Sequence, residues 1–207
     1  MGLYRTHIFP RLMERTLVSA GVDGLRREAL AEATGEVLEL GFGTGLNLPA
    51  YPRSVTRLVA VDRALPTLPF VKARLREAPL PVECRITESA RLPFEDGRFD
   101  CVVTTWTLCS IDPVEQVLGE LRRVLRPGGL YLFLEHGLAT SPKAQRLQHA
   151  IAPMTRLFGC GCRPDRPIAQ LIEGAGFAID RVRREVVPRL GRASGHLILG
   201  RALPGPC

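Results

Sequence analysis

Short apolar runs separated by stretches with helical spacing occupy the chain from residue 37 to residue 134. Each run is about five residues long, is rich in valine, leucine or isoleucine, and is bounded by glycine, proline or charge. Runs of this type are typical of strands that are buried on both faces of a parallel sheet. The pattern predicts strands at Val37 to Leu40, Leu58 to Val61, Val82 to Ile86, Cys101 to Thr105 and Leu130 to Leu134.

The segments between these runs have the spacing of amphipathic helices. The clearest one has a single apolar face, and Pro127-Gly128-Gly129 is expected to end it. That face consists of Val114, Val117, Leu118, Leu121, Val124 and Leu125. Apolar spacing before residue 35 predicts two further short helices. Because strand and helix alternate, the chain predicts an α/β fold, a Rossmann-like doubly wound sheet with helices on both faces.

The last third of the chain departs from this alternation. A helix is predicted around Lys143 to Leu157, followed by the loop "FGCGCRPDRP" and a helix in "IAQLIEGAGF". Two extended runs, "FAIDRVRREVV" and "HLILGRAL", flank the turn "PRLGRASG", so we predict a hairpin at one end of the sheet. The expected result is a mostly parallel seven-stranded sheet with an antiparallel last strand.

Length and composition are typical of a globular protein with one domain. The chain has 207 residues, of which 45% are hydrophobic and 24% are charged. Chains of up to about 250 residues commonly fold around a single hydrophobic core. No apolar stretch approaches the roughly 18 residues that a membrane span requires. The N-terminus "MGLYRTHIFPRLMERT" interrupts its apolar residues with arginines and a histidine, unlike a secretory signal. These features predict a cytoplasmic protein.

The cysteines do not form a recognisable framework. There are six, scattered without the spacing of a disulfide-rich domain, so we expect reduced thiols. Cys160-Gly161-Cys162 lacks the usual spacer of a zinc motif, and no second Cys/His pair stands nearby. The sequence therefore predicts no metal site, and it favours packing over nucleophilic roles for Cys109, Cys160 and Cys162.

The net charge of +7 arises in the last third, since residues 136–207 hold eleven basic and four acidic residues. Such a bias suits an anionic substrate, a nucleic acid or an acidic membrane surface. The bases are dispersed and are not interleaved with aromatic residues, which favours an ordinary solvated surface. We therefore expect no nucleic-acid partner and keep peripheral contact with an anionic membrane as an alternative. The sequence gives no prediction of oligomeric state.

The stretch "VLELGFGTGLNLPAYP" joins the first predicted strand to a turn with glycines at alternate positions, Gly41, Gly43 and Gly45. Glycines at this point of an open α/β sheet let a ligand lie against the main chain. A dinucleotide site has a different glycine spacing, and a carboxylate such as Glu39 repels a pyrophosphate. The same carboxylate suits a ligand with an ammonium or sulfonium charge. A dinucleotide oxidoreductase is therefore the least favoured function.

Two further acids follow the next two strands. Asp62 ends the second strand, where a carboxylate accepts the hydroxyls of a ribose. Glu88-Ser89 follows the third strand and combines a carboxylate acceptor with an N–H donor, as the amino group and a ring nitrogen of adenine require. Carboxylates at three successive strand ends favour a ligand that contains a nucleoside.

Four segments, "VLELGFGTG", "VAVD", "TESARLPFEDGRFDCVV" and "LRRVLRPGGLYLFLEH", together resemble class I S-adenosylmethionine-dependent methyltransferases, specifically the methyltransferase-11-like group, over about residues 35 to 136. The resemblance implies S-adenosylmethionine as cofactor and S-adenosylhomocysteine as product. It places the glycine loop under the methionine part and main-chain carbonyls at Thr105 near the methionine ammonium. Asn47 is expected either to touch the cofactor or to shape the turn. The predicted cofactor-binding residues are Glu39, Gly41, Phe42, Gly43, Gly45, Asn47, Asp62, Arg63, Glu88, Ser89 and Thr105.

On this resemblance residues 1–207 form one methyltransferase domain. Residues 1–34 are expected to be an N-terminal helical lid, with Tyr4 and Phe9 over the cofactor or, alternatively, anchored on the surface. Residues 35–136 are the expected cofactor-binding core, and residues 137–207 hold the acceptor-side helices and the C-terminal hairpin.

A narrower resemblance bears on the acceptor, which we expect to be a small molecule. "GLNLPAYP", "TWTLCSI", "LEHG" and "GCGCRPDRPI" are similar to small bacterial relatives of the methyltransferase-like thiol S-methyltransferases. The glycine turn is also similar to that of bacterial phosphatidylethanolamine N-methyltransferases. A thiol acceptor is thus implied, with that phospholipid, a quinone or another small metabolite methylated on oxygen or carbon as alternatives.

His136 is the predicted catalytic residue, as the base that deprotonates a thiol. The alternative is a structural histidine bonded to Glu135. Trp106, the only tryptophan, is expected to wall the acceptor pocket or to fill the core.

Overall fold

Seven strands form one mixed sheet in the computed structural model, which describes residues 2–64, 68–88 and 90–205. The strands are β1 (Gly35–Leu40), β2 (Val55–Asp62), β3 (Val82–Ile86), β4 (Phe99–Thr105), β5 (Leu125–His136), β6 (Phe177–Val186) and β7 (His196–Pro204). Their order across the sheet is β3-β2-β1-β4-β5-β7-β6. The first five strands pair in parallel, whereas β7 is antiparallel to both β5 and β6. The predicted fold class and the antiparallel last strand are confirmed.

Helices connect these strands and precede the first of them. The described residues form α1 (Phe9–Leu17), α2 (Ala20–Leu30), α3 (Pro69–Arg76), α4 (Val114–Val124), α5 (Pro142–Phe158) and α6 (Ile168–Gly174). A π-helical turn, Tyr4–Ile8, leads into α1. Ser19 caps α2 and Ser141 caps α5 by accepting a hydrogen bond from a main-chain N–H of the first turn. None of the helices in the described ranges has the length and apolarity that a bilayer crossing requires.

Both faces of the central strands β1, β4 and β5 are buried, which explains the continuous apolar runs in their sequences. The edge strand β3 is only half-buried, and Ile86 at its end is exposed. Leu38 and Leu40 of β1 point to one face, where they join the apolar faces of α4 and α6. Val37 points to the opposite face and joins Leu30 of α2 and Val71 of α3. Since consecutive strand residues alternate between faces, a strand covered on both sides needs apolar residues at every position. Polar side chains therefore gather where the chain leaves the sheet, at the ends of the strands.

The predicted end of α4 is wrong. The helix ends at Val124, ahead of Pro127-Gly128-Gly129, and β5 begins at the next residue. Leu125 adopts an extended conformation and pairs with Phe99 of β4, and its side chain is buried. Pairing with the neighbouring strand therefore ends the helix before the proline does.

Candidate active site

A cavity of about 470 Å³ opens at the carboxyl ends of β1, β2, β4 and β5. This is the edge at which an open α/β sheet binds its ligands. The structure brings nine of the predicted site residues together in its wall. They are Glu39, Gly41, Phe42, Gly43, Asn47, Asp62, Arg63, Thr105 and His136.

The glycine loop after β1 needs glycine for two different reasons. Gly41, Gly43 and Gly45 all have positive φ angles, of 83°, 54° and 75°, a region that side chains rarely adopt. A Cβ on Gly41 would stand 1.9 Å from Oγ1 of Thr107, and one on Gly45 would stand 2.7 Å from the ring of Phe42. Next to Gly43, in contrast, the nearest atom would be 4.0 Å away. Gly43 thus leaves open main chain at the cavity, whereas Gly41 and Gly45 permit packing behind it.

Glu39 is a buried carboxylate held by two hydrogen bonds. Its Oε1 accepts from Nδ2 of Asn47 at 2.8 Å, and its Oε2 accepts from the Tyr51 hydroxyl at 2.8 Å. Oδ1 of Asn47 in turn accepts from Nε of the buried Arg26 at 2.8 Å, and its Nδ2 also reaches Oγ1 of Thr105 at 3.0 Å. Asn47 therefore shapes the turn and also lines the cavity. Its contact with the cofactor stays a prediction.

Burial determines the charge state of Glu39. Loss of hydration raises the pKa of Glu39 to about 7, against the hydrogen bonds from Tyr51 and Asn47 and the charge of Arg26, which favour the ionised form. A ligand that brings a positive charge to this end of the cavity favours the ionised carboxylate further.

Asp62 is arranged differently at the end of β2. Its Oδ2 accepts the N–H of Gly43 at 2.8 Å, and its Oδ1 accepts the N–H of Ala64 at 3.3 Å. Burial raises the pKa of Asp62, while these N–H groups favour the carboxylate. Each carboxylate oxygen has a second lone pair for a ligand hydroxyl. Asp62 thus links the glycine loop to the predicted ribose position.

Two of the predicted cofactor residues lie outside the cavity wall. Gly45 packs behind Phe42, as described above. Glu88 is exposed and forms an ion pair with Arg63, with 3.9 Å between Oε2 and Nε, and the neighbouring Thr87 lines the cavity instead. Ser89 lies outside the described residues.

The segment after β4 contributes Trp106 and Thr107. Trp106 lines the cavity with a positive φ of 48°, which is unusual for a bulky residue. Its Nε1–H is buried and has no hydrogen-bond partner among the described residues. Thr107 donates its main-chain N–H to the fully buried carboxylate of Glu135, at 2.9 Å. Glu135 therefore serves to hold this turn at the cavity wall.

His136 is close to sulfur rather than bonded to Glu135. Its Nδ1 lies 3.3 Å from Sγ of Cys162, and that sulfur lies 3.9 Å from Sγ of Cys109. All three side chains line the cavity. The sequence grouped Cys162 with Cys160, whereas the fold groups it with a cysteine and a histidine from two other segments.

Helix α1 forms one wall of the cavity. Phe9, Pro10, Met13, Thr16 and Leu17 line it from this helix, and the rings of Tyr4 and Phe9 are 6.1 Å apart. Glu14 of α1 pairs with NH2 of Arg74 on α3 at 2.5 Å, and Arg74 also donates to the carbonyl of Thr44 in the glycine loop at 2.6 Å. Phe9 thus lies in the wall, as expected for the lid, whereas Tyr4 bonds to the carbonyl of Phe158.

Four supporting residues were missed at the sequence level. Arg26 and Tyr51 hold the Asn47–Glu39 pair, and Gln148 and Arg166 hold the loops on the other side of the cavity. The amide of Gln148 donates to the carbonyls of Gly137, Pro164 and Ala193. Arg166 donates to the carbonyls of Leu108 and Ile111. Arg166 lies in the loop before α6, next to Asp165 and close to Arg163, so its sequence surroundings do not mark it as buried.

Comparisons with known proteins identify the family of the chain. A family model described as a methyltransferase domain matches residues 38–133. Thiol S-methyltransferase TMT1B of Homo sapiens is 32% identical over 193 residues, covering 85% of this chain and 74% of the human one. Phosphatidylethanolamine N-methyltransferase of Cereibacter sphaeroides is 30% identical over 169 residues, covering 79% of this chain and 76% of the bacterial one.

A solved structure shares the fold. Geranyl diphosphate methyltransferase, solved in complex with S-adenosylmethionine, superposes with a TM-score of 0.69 at 15% sequence identity. The match covers 98% of this chain and 91% of that one. At this low sequence identity, the superposition shows a shared fold.

Proposed function

Because the chain belongs to the class I S-adenosylmethionine-dependent methyltransferases, we propose that its methyl acceptor is a small-molecule thiol. Methyl transfer from S-adenosylmethionine is the reaction of the family, so the proposal concerns the acceptor and the roles of individual residues. The observation that carries it is that His136 lines the same cavity as the glycine loop and the acids of β1 and β2. A thiol bound between them meets a methyl donor and a base.

At the donor end, the charges of the wall suit S-adenosylmethionine. Glu39 and Asp62 place negative charge beside a ligand that carries an ammonium and a sulfonium group. Gly43 leaves its main chain open to the methionine part, and Asp62 has lone pairs for the ribose hydroxyls. Arg26, which also lines the cavity, supplies the positive charge for the carboxylate of the donor.

At the acceptor end, the reaction is an in-line displacement. The imidazole of His136 takes the proton of the thiol, and the thiolate sulfur attacks the methyl carbon of the donor. The new carbon–sulfur bond forms as the bond to the sulfonium breaks, and that electron pair stays on the sulfur of S-adenosylhomocysteine. Since the methyl group is already activated, the wall contributes mainly alignment and exclusion of water. Apolar side chains such as Phe9, Met13 and Ile111 provide that dry surrounding.

A methyl-transfer assay with labelled donor tests the thiol proposal across thiols, amines, quinols and phosphatidylethanolamine vesicles. We expect transfer to a thiol, and we expect His136→Gln to slow it about 10²- to 10⁴-fold, as the loss of a general base does. His149→Gln is the matched control, since His149 is exposed on α5 and pairs with Asp165. Transfer to another class with none to thiols overturns the proposal.

A phospholipid acceptor is the second candidate, and an exposed apolar surface supports it. Leu3, Ile8 and Leu12 are exposed at the N-terminus, and Leu157 and Phe158 are exposed at the end of α5. The Tyr4 hydroxyl donates to the carbonyl of Phe158, so the two groups adjoin next to the cavity. Such a surface suits contact with a membrane. Methylated lipid in the vesicle arm of the assay would select this candidate, and unmodified lipid excludes it.

A further inference from the structure

Three metal-ligating side chains from separate segments meet in the wall of the cavity. Cys109 follows β4, His136 ends β5, and Cys162 lies in the loop after α5. We propose that Cys109, His136 and Cys162 bind a zinc ion whose fourth coordination position faces the cavity. The part of this inference that concerns the acceptor rests on the proposed thiol methylation, whereas metal binding stands without it.

The separations between the donor atoms match a tetrahedral zinc site. Zn–S bonds of about 2.3 Å and Zn–N bonds of about 2.0–2.1 Å place tetrahedral ligands about 3.5–3.8 Å apart. Sγ of Cys162 lies 3.9 Å from Sγ of Cys109 and 3.3 Å from Nδ1 of His136. The three ligand atoms all lie within 4.8 Å of one another. Small side-chain rotations are therefore enough to place a zinc ion between them.

The main chain holds the two cysteines together independently of their thiols. The N–H of Arg163 donates to the carbonyl of Cys109 at 2.8 Å. Gly161 has a φ of 104°, and a Cβ there would stand 2.8 Å from the carbonyl oxygen of Ser110, so only glycine allows this approach. Cys160 has a positive φ of 53° in the same turn. The turn thus adopts an uncommon backbone conformation that presents Cys162 to Cys109.

The buried Arg166 fixes the same two loops a second time. It donates to the carbonyl of Leu108, the residue before Cys109, and it pairs with Asp112. It lies four positions after Cys162 in the chain. A site whose ligands are positioned before the ion arrives loses less conformational entropy on binding.

The identity of the donors favours zinc over harder cations. Two thiolates and an imidazole are the ligands of borderline-soft ions, whereas magnesium and calcium require oxygen. Three protein ligands beside an open cavity are the arrangement of catalytic zinc sites, in which the fourth position takes water or substrate. A site with four protein ligands would be closed to the acceptor.

In the reaction, the bound zinc ion would generate the thiolate, so no general base would be needed. The acceptor thiol enters the fourth position and loses its proton to solvent, because a coordinated thiol is deprotonated. Its sulfur then attacks the methyl carbon, the sulfonium bond breaks, and the electron pair stays on S-adenosylhomocysteine. The thioether that results has no charge and binds zinc weakly, so it leaves. With the ion bound, His136 is a ligand and does not take the proton.

Cobalt substitution tests metal binding directly. The full chain is purified with a reductant, its zinc content is measured by mass spectrometry, and the metal-free protein is titrated with Co²⁺. We expect about one zinc per chain and the intense visible spectrum of tetrahedral cobalt with thiolate ligands. We expect Cys162→Ser and Cys109→Ser to weaken Co²⁺ binding more than about tenfold. Cys160→Ser is the matched control in the same turn and is expected to bind Co²⁺ as the wild type does.

The outcomes separate this inference from the proposed function. Wild-type protein that takes up neither zinc nor cobalt overturns the metal site, as does a Cys109–Cys162 disulfide in the purified chain or an equal loss in Cys160→Ser. Binding of S-adenosylhomocysteine by Cys162→Ser shows that this variant is folded, so its loss of cobalt is not a loss of structure. Metal binding without methyl transfer to any thiol would refute the thiol acceptor alone.

Discussion

Glu39 shows how a single side chain can be buried and still line the cavity. It is only 1% exposed, yet it carries a carboxylate into the wall of the cavity. Asn47 and Tyr51 satisfy one oxygen each, and Arg26 lies behind Asn47. An unpaired buried carboxylate is expensive, so this network explains how the residue is tolerated before the cofactor binds.

The raised pKa of Glu39 predicts pH-dependent binding of S-adenosylmethionine. The cationic donor favours the ionised carboxylate, so below pH about 7 binding must release a proton, and affinity falls up to about tenfold for each further pH unit. Calorimetry between pH 5.5 and 7.5, a range of about two units, measures this slope. We expect Glu39→Gln to bind more weakly at neutral pH and to lose much of the slope.

The raised pKa of Glu39 also makes the stability of the free protein depend on pH. Stability falls as the pH rises, whereas cofactor binding becomes stronger. The folded protein holds the Glu39 proton more tightly than the unfolded chain, because the pKa rises from 4.5 to about 7 on folding. This contribution to the free energy of unfolding is complete below pH about 4.5 and is lost as the pH rises through about 7. If thermal unfolding depends on pH equally in the wild type and in Glu39→Gln, Glu39 does not have the raised pKa.

For individual residues, the sequence identifies those that line the cavity better than those that hold them in place. Glu39 and Asp62 were found because acids at strand ends stand out against apolar runs. Arg26 was missed because it lies on another segment, and only the fold brings it to Asn47. Tyr51 follows the glycine loop in the same segment, but the sequence does not show that its hydroxyl reaches Glu39. Glu88 was assigned to the cavity because it follows β3, but its side chain points to Arg63 at the surface.

Helix α1 depends on a contact with α3 for its place over the cavity. Arg74 connects the two, because it pairs with Glu14 of α1 and donates to the carbonyl of Thr44 in the glycine loop. Pro10 is the one buried residue of this helix. Its position therefore rests on this pair and on the side chains that line the cavity.

We expect Arg74→Gln to loosen α1 without unfolding the protein. Loss of a charge-assisted hydrogen bond is worth about 1–2 kcal/mol, which corresponds to about 5- to 30-fold faster dissociation of the cofactor. Stopped-flow release of S-adenosylhomocysteine and hydrogen exchange of residues 9–17 measure the two effects. Arg76→Gln is the control, since Arg76 is exposed on the same helix. Equal exchange in both variants would show that this pair does not hold the lid.

The regular elements were predicted more completely than the loops between them. Each apolar run that was read as a strand lies within β1 to β5. For the central strands the signal is clear because both of their faces are buried, whereas the edge strand β3 is only half-buried. The meeting of Cys109 with Cys162 has no such signal. It depends on a left-handed turn at Cys160-Gly161 and on hydrogen bonds between loops that are distant in the chain.

Across the whole molecule, the charge bias of the sequence is partly cancelled in space. Arg181 and Arg201 of the C-terminal hairpin pair with Glu32, and Arg183 pairs with Glu28 of α2. Bases of the last third thereby face acids of the first. Exposed pairs of this kind contribute about 0–1 kcal/mol each, so their main effect is on surface charge. The exposed apolar surface beside the cavity is consequently a stronger argument for membrane contact than the basic third is.

The central claim is that the cavity at the carboxyl edge of the sheet binds the adenosyl cofactor through Asp62 and its neighbours. Titration calorimetry of S-adenosylhomocysteine into the purified chain tests it most directly. We predict binding of one molecule per chain and at least about tenfold weaker binding by Asp62→Ala, since two hydrogen bonds to the ribose are lost. Asp180→Ala, an exposed position on β6, should bind as the wild type does. No heat with the wild type, or equal affinity in Asp62→Ala, would contradict the claim.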